Sequence, residues 1–167
     1  VVNGWNIDDG GGDPNVQFVL AEDQYFDATT YQWVKMRIKN ESAATGFEFH
    51  FSTSEYVISG PCSTRVTIPA NTADYVDVVF KMKDANIATY PARENVKIEG
   101  EDVADFQTRW NGEVSMVRFD FMHYAEEGAG GGNAAEGDVL SMEFLAYFDT
   151  EEAANAFRAP EVVEGED

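Results

Sequence analysis

Alternation with a period of two is the feature that most limits what this chain can become. In stretch after stretch, apolar and polar side chains trade places at every residue, the pattern of a strand packed on one side. Across residues 31–39, Val34, Met36 and Ile38 fall on one face, while Trp33, Lys35, Arg37 and Lys39 fall on the other. Residues 47–51 set Phe47, Phe49 and Phe51 against Glu48 and His50. Asn40 to Gly46 reads as the turn between them, so these two strands are expected to form a hairpin. Further strands are expected at residues 16–21, 64–68, 73–81, 113–122 and 138–148, with turn signals at Pro69 and Asn71 and at Trp110-Asn111-Gly112. Helical character is confined to one place. Asp149, Thr150, Glu151 and Glu152 offer an N-cap and first-turn carboxylates ahead of Ala153, Ala154 and Ala156, so a short helix should close the fold. Seven or more strands with turns at fairly regular intervals predict an all-β, two-sheet antiparallel β-sandwich rather than a closed barrel. Residues 84–105 and the glycine-rich residues 126–137 lack a sustained period and read as loops or insertions.

Size and charge narrow the function. A chain of 167 residues fits one domain, read here as residues 1–158, with 159–167 as an acidic tail or linker. With 44% hydrophobic and 13% aromatic residues it should fold despite a formal net charge of −20. That charge, 31 acidic against 11 basic side chains, excludes a nucleic-acid binder. No apolar run approaches the ~20 residues of a spanning helix, so no membrane insertion is expected. The start has no signal-peptide pattern and the end trails into carboxylates, the look of one module from a larger multimodular protein. Cys62 is the single cysteine, which removes both an internal disulfide and a zinc site from consideration. The pI of about 4.2 leans toward an extracellular or cell-surface setting.

The polar faces of the alternating strands carry the candidate chemistry. They collect Trp33, Lys35, Arg37, Glu48, His50, Asp77, Arg118, Asp120, Glu143 and Tyr147. A sugar is recognised by paired hydrogen bonds to neighbouring hydroxyls and by a flat ring against its C–H face, and Trp33 with Arg37 and Glu48 supplies both kinds of group. The competing reading is that Arg37, Arg118, Asp120 and Glu143 neutralise one another on a covered sheet face. Among aromatics outside the strands, Tyr90 and Tyr124 are binding candidates, whereas Phe26 and Trp110 suit closure of the core. Trp5, Tyr25 and Tyr56 fit either role. Asp8, Asp9 and Asp13 in a glycine-rich loop are the hard oxygen ligands that Ca²⁺ accepts, although their spacing is not that of an EF-hand and solvated carboxylates are the competing reading. Catalysis finds little support. His50 and His123 are the only imidazoles, no nucleophile elbow occurs, and Asp120 and Glu143 are interleaved with arginines that would keep both ionised.

Several segments together resemble the jelly-roll, carbohydrate-binding-like modules of secreted bacterial glycoside hydrolases, cellulosomal proteins and surface proteins. They are Asp13-Pro14, YQWVKMRIKN from Tyr31, Trp110-Asn111-Gly112-Glu113, Val117-Arg118-Phe119-Asp120, and MEFLAYFDTEEAANA from Met142. In that family a Trp-Lys-Gly turn leads into a strand with an Arg-x-Asp pair, and the last strand carries Ile-Asp-Tyr-Ile before an acidic helix. Here Asn111 replaces the lysine, and Glu143 stands where aspartate is usual. The resemblance implies a jelly-roll sandwich, extracellular placement, a non-catalytic role on a polysaccharide, and a structural calcium to which Asp149 would contribute. A structural or adhesive module of a bacterial surface or scaffold protein is the alternative function.

Overall fold

The structure is a computed structural model, and it describes residues 15–58, 62–82, 109–121, 134–135 and 137–159. In chain order these form β1 (Asn15–Val19), β2 (Phe26–Asp27), β3 (Trp33–Asn40), β4 (Gly46–Thr53), β5 (Ser63–Thr67), β6 (Val76–Lys81), β7 (Glu113–Phe121), β8 (Leu140–Phe148) and the helix α1 (Glu151–Ala156), with a 3₁₀ turn at Glu22–Gln24. One sheet runs β1-β7-β4-β5, with β2 pairing alongside β1 on β7; the other runs β6-β3-β8. Every pairing is antiparallel. The chain is therefore an all-β sandwich of two antiparallel sheets with a short C-terminal helix.

The alternation places the core. Val34, Met36 and Ile38 of β3 are buried, as are Phe47, Phe49 and Phe51 of β4. Their burial draws the sheets together, each such side chain contributing roughly 1.5–3 kcal/mol. Phe49 joins the layers, its ring 5.2 Å from Phe80 of the three-stranded sheet and 5.2 Å from Phe119 of its own sheet. At one end Trp110 stacks on Tyr147 at 5.8 Å, meets Phe51 edge-on at 5.0 Å, and donates its indole N–H to the Tyr31 carbonyl at 3.2 Å. Phe26 packs on the same pair of rings, so Phe26 and Trp110 both lie in the core cluster or against it. The turn before β7 needs Gly112. Its φ is +80°, and a Cβ there would lie 2.6 Å from the Ser54 hydroxyl oxygen.

Two expectations are corrected. Strands β3 and β4 do not form a hairpin: they lie in different sheets, and residues 41–45 turn the corner between layers. Asn40 holds that corner. Its buried amide donates to the Ala44 and Pro69 carbonyls at 2.8 and 2.9 Å, and its oxygen accepts from the Ser42 N–H and hydroxyl. The second correction concerns Tyr147, expected on the polar face with Glu143. Opposite β8, Arg37 pairs with Phe144 and Ile38 with Met142, which leaves Glu143 as the extra residue of a β-bulge. One inserted residue reverses the faces beyond it. Tyr147 consequently points into the core with its hydroxyl buried and without a hydrogen-bond partner.

Candidate functional site

The polar residues singled out by the alternation divide between the two outer faces of the sandwich. On the larger sheet, Glu48 and His50 of β4 stand across from Asp120 and Arg118 of β7 on one side and from Arg65 and Ser63 of β5 on the other. Such directly opposed positions interact. Arg118 grips Asp120 with two bonds of 2.7 and 2.8 Å, and His50 Nε2 lies 3.2 Å from Asp120 and 3.8 Å from Glu48. Glu48 also accepts from the Ser63 hydroxyl at 3.1 Å, with Arg65 Nε at 3.7 Å. The carboxylates are almost fully buried, 6% exposed for the Glu48 side chain and 7% for Asp120. Burial acts to raise the Asp120 carboxyl, but hydrogen bonds from His50 and Arg118 outweigh it and hold the group below the usual carboxylate range.

On the smaller sheet, Lys35 and Arg37 of β3 meet Asp77 of β6 and Glu143 of β8. Arg37 bridges the two acids, 3.0 Å from Asp77 and 2.9 Å from Glu143, and both bonds keep its guanidinium charged. Lys35 pairs with Asp77 at 2.9 Å. Although Asp77 is opposed by partial burial, its bonds to Lys35 and Arg37 hold its carboxyl below the ordinary value. The Lys35 side chain is not available to a ligand, being 2% exposed. Helix α1 packs over this face, and Lys35 donates to the carbonyls of Phe157 at 2.9 Å and Asn155 at 3.5 Å. A six-residue helix is unstable alone. It is held here by the Thr150 N-cap at 3.1 Å, the buried Ala154, the cation beneath its C-terminus, and Phe157 wedged against Phe144 and Phe148 with ring centroids at 5.1 and 5.2 Å.

Where the helix end leaves the sheet, a pocket of about 260 Å³ opens among Arg37, Asp77, Glu143, Phe144, Phe157 and Arg158. Donors, acceptors and aromatic rings converge here. A larger groove of about 530 Å³ lies between β1 and β8, where Val16 and Phe18 extend past the narrower sheet. Apart from Glu143 its lining is apolar or aromatic, which gives a hydroxyl-rich ligand little to bond.

The pocket combines expected and unexpected residues. Arg37 and Asp77 were candidates, and Glu143 was noted beside them. Phe144, Phe157 and Arg158 were not foreseen. Phe144 reads as a core position until the bulge is known, and Phe157 and Arg158 reach the sheet only because the chain turns back after α1. Their sole sequence signal is an aromatic-basic pair directly after an alanine-rich helix. Trp33 lies half-buried at the start of β3, opposite Lys81 and Phe148, outside the pocket lining. Glu48, His50, Arg118 and Asp120 belong to the other face. Tyr90, Tyr124, Asp8, Asp9 and Asp13 lie outside the described residues. Asp149 is exposed just before α1, and no group of three or more His, Cys, Asp or Glu side chains among the described residues is placed to hold a metal ion. Among the described residues no helix is long and apolar enough to cross a membrane.

Comparison of the chain with protein-family models, curated proteins and solved structures returns no match.

Proposed function

We propose that this sandwich is a non-catalytic carbohydrate-binding module of a larger secreted or surface-attached protein, with the pocket beside α1 as its sugar subsite. One observation carries the reading: Arg37, Asp77, Glu143 and two phenylalanine rings line a single opening. A volume of about 260 Å³ falls just under the roughly 300 Å³ at which enclosed ligand pockets begin, and suits partial seating of one sugar ring. The ion pairs around it are cheap to rearrange. The Arg37, Asp77 and Glu143 side chains are 37%, 33% and 44% exposed, so water screens each pair. Incoming hydroxyls can share these groups at little cost. Hydrolysis by a carboxyl pair would need an acid kept protonated near neutral pH, and Asp77 is displaced the opposite way.

The rival reading, a structural or adhesive module, is favoured by the Glu48–His50–Asp120–Arg118 cluster, whose charges are spent on each other. Calorimetry and affinity electrophoresis against soluble glucans, mannans, xylans and pectins separate the two. Heat or retardation from at least one glycan, reduced about tenfold or more by Phe157→Ala at unchanged fold by circular dichroism, supports the sugar site. Silence across the panel removes it and leaves the structural reading.

A further inference from the structure

One charge of the pocket lining has no opposite partner among the described residues. Arg37 is matched by Asp77 and Glu143, but Asp77 is also claimed by Lys35 from beneath. Arg158 then adds a cation that no carboxylate pairs with among the described residues. Its bonds are to backbone carbonyls alone, from Nη1 to Asn155 at 2.8 Å and to Phe157 at 2.7 Å. The lining itself is balanced, Arg37 and Arg158 against Asp77 and Glu143, 2 − 2 = 0, with the buried Lys35 beneath it, on a chain whose formal net charge is −20. On so acidic a protein, an opening free of net negative charge and edged by an arginine without a carboxylate partner among the described residues is where an anion would settle.

We infer that the pocket selects an acidic sugar, a uronic acid unit of an acidic polysaccharide, and that Arg158 pairs with its carboxylate. The inference rests on the carbohydrate reading above and names the class of sugar. The two carbonyl bonds use Nη1 and orient the guanidinium before any ligand arrives, while Nε and Nη2 form the flat edge that a carboxylate meets with two parallel bonds. The ring of the sugar would lie against Phe144 and Phe157, and its hydroxyls would share Asp77, Glu143 and Arg37. Repulsion from the rest of the surface does not prevent this at physiological salt. With a Debye length of about 8 Å, remote carboxylates are screened while a contact pair is not.

The test is calorimetry on the full chain at about 0.15 M salt, with oligogalacturonides and their fully methyl-esterified forms as probes of the same shape with and without charge. The free acid should bind about three- to tenfold more tightly than the ester, the range of one well-placed surface pair. Arg158→Gln should bring that ratio to about one, and Arg158→Lys should restore part of it by returning the charge without the planar fork. Equal affinity for acid and ester in the unaltered protein, or a ratio that survives Arg158→Gln, overturns the inference while the sugar reading stands. If neither form binds and neutral glucans, mannans and xylans also fail, the sugar reading falls and takes this selectivity with it.

Discussion

The two outer faces of the sandwich carry similar charged groups and use them in opposite ways. On the five-stranded sheet, Glu48, His50, Arg118 and Asp120 form a cluster whose carboxylates are nearly inaccessible. On the three-stranded sheet, Arg37, Asp77 and Glu143 bond just as closely but stand one-third or more exposed at the mouth of a pocket. Close contact between opposite charges therefore does not tell a binding face from a closed one. What differs is solvent access. A buried carboxylate that loses its partners leaves uncompensated charge behind, whereas an exposed one turns to water or to a ligand.

The largest expected effect of this difference is on stability. Asp120→Ala should cost about 2–3 kcal/mol in urea unfolding, because His50 and Arg118 lose their shared acceptor where water reaches them poorly. Glu143→Ala should cost less than about 0.5 kcal/mol. Equal losses at the two positions would erase the distinction between the faces. Acid should sharpen it. Asp120 and Asp77 both titrate lower in the folded chain than in the unfolded one, so the native state binds fewer protons. Their contribution is present above about pH 4 and drains away as pH falls through the folded values. The urea midpoint should accordingly drop as pH falls below about 4, and Asp120→Asn should flatten that slope. An unchanged slope would place the acid sensitivity elsewhere.

Smaller effects probe what lies between and beside the faces. Tyr147→Phe removes a buried hydroxyl that bonds nothing, and it should leave stability unchanged or raise it by up to about 1 kcal/mol in denaturant titrations. A clear loss would mean that the hydroxyl has a partner. Smallest of all is Trp33→Ala, which should alter sugar affinity by less than about twofold, since the indole is absent from the pocket lining. A tenfold loss would move the site along β3, toward the indole first singled out by its sequence position.

Much of the framework was legible beforehand because the period-2 pattern depends on local geometry. The apolar triplets of β3 and β4, the turn at Gly112 and the capped helix after β8 all appear where side-chain order and capping chemistry put them. The candidate site was legible in part. Arg37 and Asp77 lie on the face expected of them, yet Lys35, on that same face, is sealed under a helix whose docking position no local pattern encodes. Tyr147 failed for a related reason: a bulge is set by pairing with β3, and the order of residues in β8 contains no mark of it.

Alternation and composition alone determined that the chain folds as layered antiparallel strands, and which side chains of β3 and β4 turn from the oil, because these follow from a two-residue repeat and from the gain in burying apolar surface. Tertiary packing decided which strands share a sheet, which outward charges meet, and which stay within reach of a ligand. Those outcomes depend on contacts between residues far apart in the chain, such as Arg37 with Glu143 and Lys35 with the carbonyl of Phe157, and no repeat along the sequence records them.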